Sequence, residues 1–144
     1  MVYFDTSYLL KCYVPENGSE EVRRLASERG QVACCEFGRL ELVSALHRKF
    51  REHSIQEAAY SVIHRQLAVD ERQGIWNWLS LTQEILDGVS AAFLRLPLDA
   101  FVRTGDAIHL ECARRNEFTE IFSGDRLLLH AAKHFRLQGR SVTG

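Results

Sequence analysis

The stretch Val2-Tyr3-Phe4-Asp5-Thr6-Ser7-Tyr8-Leu9-Leu10-Lys11-Cys12-Tyr13 decides the architecture. Residues 2–5 read as a short buried strand that ends on a carboxylate, and residues 7–13 as a helix entered directly from it. Pro15 and Gly18 break the chain. A second helix opens at Ser19 and stops at Gly30, and residues 31–34 form a second apolar strand. Residues 36–53 carry Phe37, Leu40, Val43 and Phe50 at helical spacing. Ser54 then reads as the N-cap of a further helix with Ile55, Ala58, Ala59, Val62, Ile63 and Val69 on one face, ended by Gly74. Residues 75–81 are β-rich, residues 82–96 are helical, and so are those after Pro97 up to Asn116. A strand over 119–122, a helix over 125–135 and a last short strand over 140–142 complete the pattern. Strands alternating with helices predict a three-layer α/β/α fold around a mostly parallel sheet of four to five short strands.

Composition bounds the rest. A chain of 144 residues, 46% hydrophobic and 26% charged, suits one soluble domain over residues 1–144, with no linker or low-complexity segment. No apolar run approaches the roughly 20 residues of a membrane span, and residues 1–15 lack a signal-peptide layout. The four cysteines (Cys12, Cys34, Cys35, Cys112) have no paired spacing and suit a reducing compartment, so the cytoplasm is the expected location. The net charge of −1 gives no basic excess, although Arg48, Lys49 and Arg51, and Arg114 and Arg115, cluster locally. Such runs also suit a solvated helix face. Trp76 and Trp78 share a strand face, where they either pack in the core or offer a stacking surface for bases.

Four acids stand out: Asp5, Glu41, Asp106 and Asp125. In an open parallel sheet the functional crevice lies beyond the carboxyl ends of the strands. Asp5 ends the first strand and Asp125 follows the strand 119–122 by three residues, so topology places both on one edge. Asp106 lies at a helix start, and Glu41 is inside a helix beside the small residues Ser44 and Ala45. Carboxylates that converge repel, and a divalent cation relieves the repulsion. Taken singly, each aspartate also fits an N-cap, and Glu41 fits a surface pairing with Arg48 or Lys49. Glu36 competes with Glu41 as the helical acid. His109 reads as a core or rim histidine three residues after Asp106. His130 and His134 at i, i+4 lack a zinc-type glutamate between them, Cys34-Cys35 lacks ligand spacing, and no phosphate-binding glycine loop is present.

The motifs are similar, in order and separation, to those of PIN-domain ribonucleases, specifically the VapC toxins of VapBC toxin–antitoxin pairs. The opening Tyr3 to Tyr13 with Glu16 resembles their first motif, and Leu40-Glu41-Leu42-Val43-Ser44-Ala45-Leu46 their second. Arg103-Thr104-Gly105-Asp106-Ala107-Ile108-His109-Leu110 resembles the third, and Phe122-Ser123-Gly124-Asp125-Arg126 with Ala131-Ala132 the fourth. Gly105 stands where a bulkier residue is common and Ser123 where threonine is frequent. The resemblance implies that Asp5, Glu41, Asp106 and Asp125 bind Mg²⁺ or Mn²⁺ and that Ser7 lies near a metal-held water or a phosphate. Lys11, Arg103 or Arg126 would steady the phosphate.

The expected function is that of a metal-dependent endoribonuclease toxin that hydrolyses RNA with an activated water and leaves a 5′-phosphate. Its expected partners are RNA, a VapB-type antitoxin whose arginine competes with metal, and a second copy of the chain in a homodimer. The alternatives are a catalytically weak PIN scaffold, or a metal-dependent binding module that acts through partner binding. For the latter, Asp5-Thr6-Ser7 begins like an adhesion motif of von Willebrand A-type domains, but Leu9 sits where a second serine belongs.

Overall fold

Residues 1–142 are described by a computed structural model. The opening strand β1 (Val2–Tyr3) runs through Phe4 and Asp5 into helix α1 (Thr6–Tyr13), followed by α2 (Ser19–Arg29). Strand β2 (Val32–Cys35) leads straight into α3 (Glu36–Arg51), then α4 (Glu57–Arg72) and β3 (Trp76–Leu79). Helices α5 (Gln83–Arg95) and α6 (Thr104–Arg115) precede β4 (Glu120–Phe122), α7 (Arg126–Ala131), a 3-10 turn (Ala132–Phe135) and β5 (Gln138–Arg140).

Every strand pairing is parallel: β1 with β2 (Val2 opposite Val32), β2 with β3, and β4 with β5. Among the described residues a single parallel bridge, between Phe4 and Phe122, joins the two groups, with the Asp5 N–H donating to the Phe122 carbonyl at 3.1 Å. The order is therefore β3-β2-β1-β4-β5, and it reverses between β1 and β4. A reversal of this kind opens a crevice at the carboxyl ends of the two strands. Asp5 and Asp125 follow those two strands.

The period-two alternation of strands divides the core. Tyr3, Ala33, Cys35 and Ile121 face α5, α6 and α7, where they meet Ile85, Val89, Leu110 and Leu128. Val2, Phe4, Cys34, Trp76 and Phe122 face the opposite way, onto Leu9, Val22, Leu42, Leu46 and Leu67 of α1 to α4. The fold is thus three layers with the sheet in the middle, and among the described residues no helix is long and apolar enough to cross a membrane.

Three boundaries differ from the sequence expectation. Ser54 does not cap α4: its N–H donates to the Lys49 carbonyl, so it closes α3 past the left-handed His53, and α4 starts only after Gln56. Residues 97–103 are not helical. Pro97 holds Leu96 in an extended conformation, and α6 begins after an extended Arg103. The last strand falls two residues early, on Gln138–Arg140, because it pairs with β4 over its whole length. Trp76 is buried, donates its indole N–H to the Tyr13 hydroxyl and lies 6.4 Å from the Trp78 ring, so the pair packs in the core.

One buried acid belongs to the scaffold rather than to the crevice. Glu111 of α6 is fully buried and accepts from Arg114 at 2.6 Å and Arg115 at 2.7 Å, which accounts for that arginine cluster. Burial pushes its carboxyl up, but the two guanidinium groups outweigh burial and leave it below the ordinary glutamate range. A depressed folded-state pKa stabilises above the unfolded value of about 4.3 and loses that stabilisation as pH falls through the folded value. Glu111→Gln is expected to cost about 1–2 kcal/mol at neutral pH, the partly exposed arginines moderating the effect. In thermal melts the gap to wild type is full above about pH 5 and narrows as pH falls from about 4.3 down through the lower folded value. A gap of constant size across that range contradicts this assignment.

Candidate active site

The crevice takes its shape from the strand ends. Asp5 leaves β1 in an extended conformation and caps α1 by accepting the Tyr8 N–H at 3.2 Å on Oδ1. The Ser7 hydroxyl donates to the same oxygen at 2.6 Å, and the Ser123 hydroxyl donates to Oδ2 at 2.6 Å. Asp5 is only 5% exposed. Burial therefore pushes its carboxyl up, against the pull of His109 and these donors. Asp125 caps α7 through Oδ1, which accepts the N–H groups of Leu127 and Leu128. Its own N–H donates to the Ser123 hydroxyl at 2.8 Å, so Ser123 couples the two strand-end aspartates.

Asp106 sits in the first turn of α6, where burial pushes its carboxyl up and Arg103 works against that shift. Arg103 lies between two acids: its Nε donates to Asp106 Oδ2 at 2.8 Å and its Nη2 to Asp125 Oδ2. Both contacts raise the guanidinium pKa further. Glu41 reaches in from α3. Its Oε1 accepts from His109 Nε2 at 2.6 Å and from the Thr6 hydroxyl at 2.7 Å. Burial pushes Glu41 up, but His109, Thr6 and the nearby Arg103 outweigh it and hold the carboxyl below its ordinary range. His109 is 2% exposed and its second nitrogen, Nδ1, lies 2.9 Å from the Tyr3 hydroxyl. Burial opposes the charged imidazole, yet Cys34 and Glu41 raise its pKa well above the ordinary value.

Asp5, Thr6, Ser7, Glu41, Arg103, Gly105, Asp106, His109 and Asp125 line one cleft of about 300 Å³. The four acids singled out in the sequence thus meet in one place. Glu36 does not join them: its Oε1 accepts the Leu81 N–H at 2.9 Å, and it is outside the cleft lining. Nor does Glu41 pair with Lys49, which binds Glu16 at 2.7 Å. Of the cationic candidates only Arg103 reaches the cleft. Lys11 donates to the Asn17 carbonyl at 2.7 Å, and Arg126 is exposed at the start of α7 outside the lining. The imidazoles of His130 and His134 line a separate depression beside Phe101 and Leu127.

Sequence reasoning left out Thr6 and Ser123 and gave His109 no contact with the site. Thr6 directly follows Asp5 and Ser123 stands two residues before Asp125, and that nearness to motif acids was the available signal.

Among the described residues no three His, Cys, Asp or Glu side chains already converge as a closed ligand set. Arg103 stands between Asp106 and Asp125, and His109 and Thr6 occupy one oxygen of Glu41. The donors nevertheless fit a hard divalent cation. They are carboxylates and hydroxyls, with no thiolate in the cleft, and Mg²⁺ and Mn²⁺ prefer such oxygens while keeping several waters.

The profile of the PIN domain matches residues 2–134, so the chain belongs to the PIN-domain family, whose members are generally nucleases and typically use divalent metals. Among solved structures the chain is similar to VapBC2 from Rickettsia felis, crystallised bound to a DNA fragment from its promoter. The TM-score is 0.65 at 10% identity, over 98% of both chains, a likeness of fold. No curated protein matches the chain.

Proposed function

We propose that this chain, as one PIN domain over residues 1–144, is a Mg²⁺- or Mn²⁺-dependent endoribonuclease that acts in the cytoplasm as the toxin of a VapBC-type pair. Residues 143–144 lie outside those described. The observation that carries the reading is the meeting of Asp5, Glu41, Asp106 and Asp125 around a single cleft at the point where the strand order reverses.

In this reading Asp5, Asp106 and Asp125 hold the cation, and Glu41 either joins them or orients the attacking water. When bound, the cation supplies Lewis-acid polarisation of the scissile phosphate and lowers the pKa of a water held in the cleft. The water oxygen forms a bond to phosphorus while the bond from phosphorus to the 3′-oxygen breaks, leaving a 5′-phosphate and a 3′-hydroxyl. Ser7 lies near a metal-held water or a phosphate, and its hydroxyl would have to leave Asp5 Oδ1 to donate to a phosphate oxygen. Arg103 is half exposed and bound to carboxylates only through side-chain contacts, so it is free to turn from them to the phosphate as the cleft gains positive charge.

The proposed partners are RNA, a VapB-type antitoxin and a second copy of the chain. An antitoxin arginine would take the position on Asp106 and Asp125 that Arg103 fills here. The exposed Phe93, Leu94, Leu98 and Phe101 support an apolar pairing surface.

The test is incubation of the purified chain with total RNA in Mg²⁺, in Mn²⁺ and in EDTA, with mapping of the new ends. The expected result is discrete fragments with 5′-phosphates in either metal and none in EDTA. Intact RNA under all three conditions, with the chain folded, would favour the scaffold or binding-module reading instead.

A further inference from the structure

The buried chain of contacts behind Glu41 reaches well beyond the cleft. Tyr3 is fully buried in β1, and its hydroxyl accepts the Cys35 N–H at 3.0 Å and meets His109 Nδ1 at 2.9 Å. The imidazole is thereby pinned between the sheet and α3, with Nε2 aimed at Glu41 Oε1. In the neutral ring the Tyr3 hydroxyl has already accepted one proton and donates its own to Nδ1, which leaves the ring proton on Nε2. In the charged ring both nitrogens carry protons. Either way Nε2–H faces Glu41, so the arrangement does not depend on the ring's titration.

The sequence makes room for this. A Cβ at Gly38 would stand 2.8 Å from His109 Cε1 and 2.4 Å from Cys34 Sγ, so only glycine lets α3 pass the ring. Thr6 adds a second donor to the same Glu41 oxygen from the first turn of α1. Among the described residues no hydrogen bond reaches Oε2, which lies 3.3 Å from where a Cβ on Gly105 would be, on the Asp106 side of the cleft.

We propose that Tyr3, His109 and Thr6 form a clamp that commits one oxygen of Glu41 and presents the other to the cation. This rests on the metal-site reading above. His109 and Thr6 are positioning residues, acting through Glu41 and not on the substrate. Partners one shell behind a ligand orient it and typically change metal affinity by about 10–100-fold.

The experiment measures Mn²⁺ affinity by electron paramagnetic resonance in the folded protein, without RNA. His109→Leu and Thr6→Val are each expected to weaken binding by about tenfold or more, as Glu41→Gln does. In His109→Gln an amide N–H replaces Nε2–H, and affinity returns to within about threefold of wild type. A purely structural role would move melting temperature in all the His109 variants without that rescue. Two results overturn the clamp while sparing the metal site: Glu41→Gln weakens Mn²⁺ but Thr6→Val and His109→Leu do not, or His109→Gln binds as weakly as His109→Leu. Should His109→Leu fail to fold, Thr6→Val and His109→Gln decide the matter by the same criteria. Unchanged Mn²⁺ affinity in Glu41→Gln and Asp106→Asn together would remove the metal site itself.

Discussion

Asp5→Asn and Asp106→Asn are each expected to lower RNA cleavage at least about 10³-fold, some 4 kcal/mol of transition-state stabilisation, while the protein stays folded. Asparagine keeps the shape of both side chains. At Asp5 the amide oxygen can still accept the Tyr8 N–H, since asparagine caps helices as well as aspartate does, and the Ser7 and Ser123 hydroxyls can rotate to suit it. The direction of the stability effect follows from the same burial. The carboxyls of Asp5 and Asp106 are both raised above their ordinary range, chiefly by burial, so at neutral pH the fold bears the cost of their charge. Removing that charge leaves the melting temperature equal or higher without metal, and removes the stabilisation that added Mg²⁺ gives the wild type. Thermal melts with and without Mg²⁺, beside a cleavage assay on a short RNA, check both halves. A variant that cuts at near wild-type rate with Mg²⁺ present would end the assignment.

The second large effect is predicted at a residue with no functional group. Gly38→Val places branched carbon where even a Cβ would stand 2.4 Å from Cys34 Sγ and 2.8 Å from His109 Cε1. Replacing glycine inside a helix ordinarily gains up to about 1 kcal/mol. Here both neighbours are buried, and the imidazole is held at both nitrogens, so neither can yield cheaply. Overpacking of a tight core costs about 1–3 kcal/mol, and for the branched side chain we expect the upper end, a fall of about 10 °C in melting temperature. Displacement of His109 also releases Glu41, so Mn²⁺ binding falls along with stability. A Gly38→Val protein that melts within about 2 °C of wild type would show the helix crossing to be looser than described.

Much of the fold was legible because it rests on local signals. Short apolar runs that pass directly into helices gave each strand–helix unit, and a parallel sheet followed from the alternation. The errors occurred where a distant partner decides. Ser54 looks like a cap in isolation but is bound by the end of α3. Residues 97–103 carry helix-compatible apolar residues, yet Leu98 and Phe101 find no core to bury them and stay exposed. The last strand is fixed by its register against β4, which no local pattern encodes.

The cleft divides in the same way. Asp5 and Asp125 are tied to strand ends, so topology alone indicates their neighbourhood. Glu41 and Glu36 lie on one helix five residues apart, and only the contact of Glu36 with the Leu81 N–H separates them. The partnership of His109 with Glu41 depends on how α3 crosses α6 past Gly38, and the bridge from Arg103 to Asp125 spans 22 residues, so neither could be read from spacing.

The central claim of the proposal is that these four carboxylates together make up a site for a divalent cation. Its most direct test is a Mn²⁺ titration of the folded wild type beside Asp5→Asn, Glu41→Gln, Asp106→Asn and Asp125→Asn, followed by paramagnetic resonance. The account predicts that the wild type binds Mn²⁺, that Mg²⁺ displaces it, and that every one of the four substitutions weakens it. Mn²⁺ bound equally well by wild type and all four variants would contradict the claim.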